Sequence, residues 1–318
     1  MKKEKILIIG ANGQIGSVLT DVLKLQYGSD HVIPSDIRVP EKKDQLFERL
    51  DVLDKSQLAT LVNKHNITQI YHLAAILSAK GELHPQWAWD VNMNSLFNVL
   101  ELAKEKSIQL FFPSSIAVFG KEAPKNQTPQ YAPLTPTTVY GISKVAGENW
   151  CQYYHNKYGV DVRSIRYPGI IGYQSLPGGG TTDYAVEIYH AAVKGEAYTS
   201  FLSENTTLPM IYMDDAIKAT IAIMEAPQEQ IKIRTSYNLS GMSFSPIEIA
   251  QSIQQHYPDF KVSYAPDFRE AIAQSWPSSI DDSAARADWG WKASVDLNMM
   301  TSDMIKNLKM KYLSAVSI

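Results

Sequence analysis

Tyr140 and Lys144 stand four residues apart in the stretch VYGISK, 139–144. On a helix this spacing turns the phenol and the ammonium toward one face, one turn apart. Alone, the pair fits an exposed helix face as well as it fits chemistry. Ser115 lies twenty-five residues earlier, at the end of the apolar run in PSSIAVFG. A hydroxyl, a phenol near a helix start and an ammonium one turn later form a workable acid–base set. A free tyrosine has a pKa of about 10, and lowering it by about 3 units requires roughly 4 kcal/mol. The Lys144 ammonium favours the phenolate. Such a phenolate can take an alcohol proton while hydride leaves the carbinol carbon. The expectation is a Tyr140 phenol depressed by Lys144.

A second constellation supports the first. GANGQIG places Gly10, Gly13 and Gly16 between an apolar run and a helical pattern. The turn must be tight, its backbone must approach a pyrophosphate, and the helix must pack close to the sheet. Asn12, Gln14 and Ile15 lie in the same turn and are assigned to the same site. Asp36, twenty residues past Gly16, ends the next apolar run. There a carboxylate can accept hydrogen bonds from an adenosine ribose diol. It would repel a 2′-phosphate, which favours NAD over NADP. Arg38, beyond Ile37, carries the opposite reading, since it can accept that phosphate or stack beside adenine. Asp51 and Val52 either cap the adenine amino group or start a helix.

Apolar runs and helical patterns alternate through residue 172, beginning with KILIIG at 5–10. That alternation predicts an α/β fold, a doubly wound parallel sheet of Rossmann type. Strands are expected at 31–37, 67–75, 109–120 and 161–172, with helices at 14–28, 57–66, 89–107 and 141–159. Residues 1–172 form the expected nucleotide-binding domain, to which 213–240 returns. A smaller C-terminal α/β substrate-binding domain is expected from 173–212 and 241–318. With 318 residues, 45% hydrophobic and net charge −3, the chain can bury a core and has no basic surface suited to nucleic acid. No apolar stretch reaches the roughly 18 residues of a membrane span. The basic start, MKKEK, runs through Glu4 into a glycine turn, so a buried first strand is expected rather than a leader. One cysteine, Cys151, excludes an internal disulfide and a cysteine-rich metal site. A cytoplasmic protein without a bound metal is the expectation.

GANGQIG, HLAA, SSIAVFG, YGISK, RYPGIIG and MDDA occur in the order of the extended short-chain dehydrogenase/reductases, the NAD-dependent epimerase/dehydratase superfamily. The chain resembles that family over nearly its whole length. The resemblance implies an active site of Ser115, Tyr140 and Lys144. It also implies a cofactor pocket lined by Leu73, Ala74, Ala75, Asn92, Tyr167 and Ile170. Nucleotide-sugar epimerases of the family carry an arginine before the MDDA helix that meets the diphosphate. Here the segment reads TTLPMIY, and Leu208, Pro209 and Met210 cannot neutralise a diphosphate. PGGGTTDYAV, SFLSENTTLPMIYMDDA and SWPSSIDDSAARADWGW instead resemble the short-chain type of L-threonine 3-dehydrogenase. That resemblance implies NAD-dependent oxidation of the L-threonine 3-hydroxyl. Ser78, Ser115, Tyr140 and the turn at Gly178 are then candidates for holding the substrate. Thr181 and Thr182 either touch it or only shape the turn. Asp183 either pairs with the α-ammonium or caps the following helix. Trp276 either closes the pocket or belongs to a core. Two rival readings stay open, a nucleotide-sugar epimerase or dehydratase and a non-catalytic NAD-sensing regulator. The family pattern and the apolar content of the helices at 89–107 and 141–158 imply a homodimer paired through them.

Overall fold

Residues 4–40 and 46–316 are described by the structure, a computed structural model; the start of the chain, Met1–Lys3, lies outside them. β1 (Ile6–Ile9) is apolar and buried at every position, as a parallel strand covered on both faces requires. α1 (Gln14–Tyr27) ends at Gly28, whose φ of 94° few side chains tolerate. β2 (Val32–Asp36), β3 (Glu48–Arg49), α2 (Lys55–His65) and β4 (Gln69–His72) follow. Next come α3 (Ser78–Leu83), α4 (Pro85–Lys106), β5 (Gln109–Ser115), α5 (Val139–Tyr158) and β6 (Val162–Tyr167). The remainder comprises β7 (Gly169–Ile171), α6 (Tyr184–Lys194), β8 (Tyr198–Ser200), β9 (Leu208–Tyr212), α7 (Met213–Glu225), β10 (Tyr237–Asn238) and β11 (Met242–Phe244). It closes with α8 (Pro246–Gln254), β12 (Val262–Tyr264), α9 (Phe268–Ser275), α10 (Ser283–Trp289) and α11 (Leu297–Val316).

Among the described residues the main sheet has seven strands, in the order β10-β6-β5-β4-β1-β2-β3. β1 pairs in parallel with both β2 and β4, so the strand order reverses beside β1. A ligand crevice opens at such a reversal, at the carboxyl ends of the strands. The expected doubly wound α/β sheet is what the chain forms. Two strands differ from expectation. The run at 109–120 ends as a strand at Ser115, and Ile116–Val118 turn in a 3-10 coil. The run at 161–172 is broken at Pro168 into β6, in the large sheet, and β7, in a three-stranded sheet of order β11-β9-β7. Proline has no N–H to give a ladder, so the break falls there. β12 and β8 form a two-stranded parallel sheet.

The chain divides into two compact units. The first joins the residues through Ser115 with Thr138–Arg166 and Ile217–Tyr237; the second joins Ile116–Thr137, Tyr167–Ala216 and the residues from Asn238 onward. Ile116–Thr137 is tied into the second unit by the backbone of Thr128, which donates to Ser279 (3.0 Å) and accepts from Asp281 (3.1 Å). The Lys125 ammonium adds a bond to the Trp276 carbonyl at 2.7 Å. In the first unit, Leu7, Ile9 and Ile33 of the sheet pack with Leu58 of α2, Leu96 of α4 and Cys151 of α5. Among the described residues no helix is long and apolar enough to cross a membrane.

Candidate active site

The β1–α1 turn is built by close backbone approach. Gly10, at φ +87°, and Ala11 both donate their amides to the Ser35 carbonyl at 2.9 Å. A Cβ on Gly10 would lie 2.8 Å from the Ala74 nitrogen, so the Leu73–Ala75 segment crosses directly over it. A Cβ on Gly16 would meet the Gly10 oxygen at 2.2 Å. Gly13, the N-cap of α1, brings no side chain to the helix amides, and no acidic residue stands in the first turn. Gln14 and Ile15 begin that turn, whose amides suit an anion such as a pyrophosphate.

Asp36 stitches the turn to the end of β2. Its Oδ2 accepts the Asn12 amide at 3.1 Å, and its Oδ1 accepts the Arg38 amide at 3.0 Å. The Asn12 side chain donates to the Arg38 carbonyl at 2.6 Å. Each carboxylate oxygen retains a lone pair for a ribose hydroxyl. These residues therefore fit a dinucleotide. Ile37 is exposed, and the Arg38 guanidinium stands 3.9 Å from Asp36 with 77% of its side chain exposed. The helix-start alternative for Asp51 gives way to a neighbour. Asp54 caps α2 by accepting the Gln57 amide at 2.9 Å, while Asp51 turns its Oδ1 onto the Leu53 amide at 3.0 Å. Val52 is buried, and its carbonyl accepts from Asn98 at 3.0 Å. Asn92 accepts the Ile76 amide at 2.7 Å and donates to the Ile76 carbonyl (3.1 Å) and Ser143 Oγ (3.2 Å). Its amide thus shapes the loop after β4.

Ser115, Tyr140 and Lys144 come together in the first unit. Thr138 caps α5, accepting the Gly141 amide at 3.1 Å, which sets Tyr140 in the first turn and Lys144 in the next. Ser115, the last residue of β5, hydrogen-bonds the Tyr140 phenol. The Lys144 ammonium donates to the Pro113 carbonyl at 2.7 Å and lies 5.4 Å from the centre of the Tyr140 ring. Ser78 starts α3, which packs on α5.

The electrostatics reverse one expectation. Burial pushes the Tyr140 phenol up to about 12, against the lowering bond from Ser115. Burial pushes Lys144 down to about 8, and the nearby Cys151 and Glu148 only partly offset it. The phenol is not depressed, because removal from water outweighs a cation whose nearest bond goes to a carbonyl. His72, at the end of β4, is pushed down to about 3 by burial and by the Lys144 charge, so it is neutral. Glu148, four residues past Lys144 on the same face, has no place in the sequence argument; the 3.6-residue period was the available signal.

In the second unit, Thr182 lies against β7. A Cβ on Gly169 would sit 2.7 Å from Thr182 Cγ2, so that glycine makes the room. Asp183 does not take the capping role expected of it. Its Oδ2 turns back to accept the amides of Gly179 (2.6 Å) and Gly180 (2.7 Å), and it makes no side-chain cap on α6. Gly179 sits at φ +93°, and Gly178 beside it is exposed. Thr181, Tyr167 and Trp276 are buried, and Ile170 is half-buried. Among the described residues no group of three His, Cys, Asp or Glu side chains is arranged to hold a metal ion.

Residues 6–240 match the model of the NAD dependent epimerase/dehydratase family. A solved GalE-like L-threonine dehydrogenase from Cupriavidus necator, in its holo form, is 58% identical, with a TM-score of 0.94 over 96% of this chain and all of that one. A monomeric L-threonine 3-dehydrogenase from a metagenome is 49% identical, with a TM-score of 0.94 over 96% of this chain and 99% of that one. An uncharacterized epimerase/dehydratase of Staphylococcus saprophyticus is 48% identical over 97% of this chain and 98% of its own length. The chain belongs to the NAD-dependent epimerase/dehydratase family, and its cofactor is NAD.

Proposed function

We propose that this enzyme oxidises the 3-hydroxyl of L-threonine to 2-amino-3-oxobutyrate. The substrate class rests on one observation. β9, the strand Leu208–Tyr212, is buried at all five positions and carries no cation where a sugar-diphosphate enzyme of the family needs one. A small zwitterion needs no such clamp. The likeness to two L-threonine dehydrogenases over nearly the full chain supports the same reading.

NAD, when bound, supplies the hydride acceptor and, while oxidised, a positive charge that favours a phenolate. Tyr140 Oη takes the proton of the substrate hydroxyl. Ser115 orients that hydroxyl and the phenol, and Lys144 opposes the cost of the phenolate. Gly10 to Gly16, with Asp36 and the Leu73–Ala75 segment, hold the dinucleotide. Asn92 keeps the loop after β4 in place. In the first unit Ser78 is assigned to the carboxylate of the amino acid; in the second, the turn from Gly178 to Asp183 is assigned to its charged groups. The test is NAD reduction with L-threonine as the only added substrate. Steady formation of reduced nicotinamide is expected; turnover of a nucleotide sugar instead would overturn the reading.

The glycine turn gives a second test. Gly179→Pro removes the amide that Asp183 accepts and forces φ from +93° to about −65°. KM for threonine should rise at least about tenfold, while direct titration finds NAD affinity within about twofold. Lost NAD affinity with normal threonine saturation would move this turn to the cofactor site.

The same proposal includes a homodimer through α4 and α5. On these helices Trp89, Trp150 and Tyr153 are 40%, 39% and 42% exposed, an uncommon display for such large rings. Trp150 meets Phe97 edge-on at 5.0 Å and Tyr153 at 5.4 Å, so the face is already ordered. Light scattering at micromolar concentration should give twice the chain mass. A monomer, the state named for the metagenomic relative, would refute it.

A further inference from the structure

Glu148 lies one turn beyond Lys144 on α5 and is 1% exposed. Arg166 on β6, 3% exposed, grips both carboxylate oxygens, Nε to Oε1 at 2.9 Å and Nη2 to Oε2 at 2.7 Å. Oε1 also accepts the Ser114 hydroxyl at 2.5 Å. An ion pair this deep adds little net stability, because the desolvation of both charges offsets their attraction. What it does supply is fixed geometry. Ser114 stands between the two residues of β5 that touch the acid–base pair. On one side the Pro113 carbonyl accepts the Lys144 ammonium at 2.7 Å; on the other Ser115 bonds the Tyr140 phenol.

We propose that Glu148 and Arg166 are positioning residues that act through Ser114, locking the end of β5 to α5 so that Pro113 aims Lys144 and Ser115 aims Tyr140. The inference rests on the acid–base roles given above to Tyr140 and Lys144. The two Arg166 bonds fix the orientation of the Glu148 carboxylate against β6, and the Ser114 bond to Oε1 ties that fixed carboxylate to β5. A shift of about 1 Å at such a site is enough to cost roughly a hundredfold in rate.

The clamp also carries a charge that reaches Lys144. Glu148 raises the proton affinity of that amine while burial lowers it. Cys151 acts on the ammonium in the same direction as Glu148, and burial pushes that thiol up; His72 on β4 and the Tyr140 phenol are neutral. The Arg166 charge is paired with Glu148 itself. Removing the carboxylate should therefore free the Lys144 proton at lower pH, an effect that slack packing alone would not produce.

Glu148→Gln preserves shape and removes the charge. In the cofactor-free protein, the titration of Lys144 is followed by the chemical shift of its labelled ε-carbon, assigned by its loss in Lys144→Met. Its midpoint should fall by about one unit. With NAD and threonine, kcat should fall at least about tenfold with KM changed less than about threefold, and the alkaline limb of the pH profile should move to lower pH by the same unit. An unpaired Arg166 can prevent folding, so Glu148→Leu with Arg166→Met replaces the pair by apolar side chains of similar volume. That double variant should fold and show the same loss of kcat, with a smaller midpoint shift because the Arg166 charge leaves with the carboxylate. A wild-type Lys144 midpoint together with wild-type kcat in either folded variant overturns the proposal. If the parent protein does not oxidise threonine, the functional reading fails instead, and the Lys144 midpoint alone decides the inference.

Discussion

Tyr140→Phe should lower kcat for threonine oxidation by several hundred-fold or more while leaving NAD affinity within about twofold. Removal of a principal acid–base group typically costs 10²- to about 10⁴-fold. The ring stays, so the half-buried packing at the start of α5 survives; the variant loses the phenol oxygen and its bond with Ser115. Stability should therefore change by no more than about 1 kcal/mol. The pH dependence gives the sign. In the cofactor-free protein burial holds the phenol up at about 12, so the base form is scarce at neutral pH and grows with pH. The parent enzyme's kcat/KM should accordingly climb through the neutral and mildly alkaline range. The residual rate of Tyr140→Phe should be flat over the same range, because the titrating base is gone. Steady-state kinetics across pH, beside calorimetric NAD titration, settles both points. Near-normal turnover, or a residual rate that still climbs with pH, would remove Tyr140 from the chemistry.

The parts of this site that can be read from sequence are those fixed by local sterics and helical period. Gly10 and Gly16 are required where a Cβ would strike backbone at 2.8 and 2.2 Å, and their spacing between a strand and a helix announces that closeness. Tyr140 and Lys144 share a face because four residues make one turn, whatever surrounds the helix. Long-range choices are less legible. Asp183 stands where a cap belongs, yet the positive φ of Gly179 swings two amides back within its reach, and nothing at Asp183 itself signals this. Asp51 and Asp54 are both plausible helix starts, and only the path of the chain selects Asp54. Pro168 announces a break, but not that the next three residues join another sheet. LPMIY stands out in the sequence for the charge it lacks; its place as the middle strand of that sheet depends on partners over thirty residues away. The direction of the Tyr140 shift is lost for the same reason. A nearby lysine is visible in sequence, whereas the depth of burial that outweighs it is set by packing.

Lys144→Met should abolish most activity and at the same time stabilise the fold. Lys144 is 4% exposed, and burial lowers its ammonium to about 8 from the ordinary 10.5. At and below about pH 8 the amine is charged in both the folded and unfolded states, and the full cost of burying that charge is present. Between 8 and 10.5 the unfolded chain holds a proton that the folded protein lacks, so stability rises with pH. Above 10.5 the cost is gone. The shift corresponds to roughly 3 kcal/mol, and the Pro113 carbonyl, left without its donor at 2.7 Å, returns roughly 1 kcal/mol of that. Methionine fills the same length without charge, and the Phe112 ring beside it, 4.7 Å from the ammonium, accepts a thioether. The net gain should be about 2 kcal/mol at neutral pH, a rise of several degrees in Tm, and it should vanish as the pH approaches 10.5. Loss of the cation removes the main support the protein itself offers to a phenolate, so kcat should fall at least about a hundredfold. Opposite signs for the two effects are the signature of a residue kept for chemistry at the expense of stability. Thermal melts of parent and variant at several pH values, beside threonine kinetics, provide the comparison. A variant that melts lower than the parent at neutral pH would mean that Lys144 braces β5 to α5 more strongly than its buried charge opposes folding.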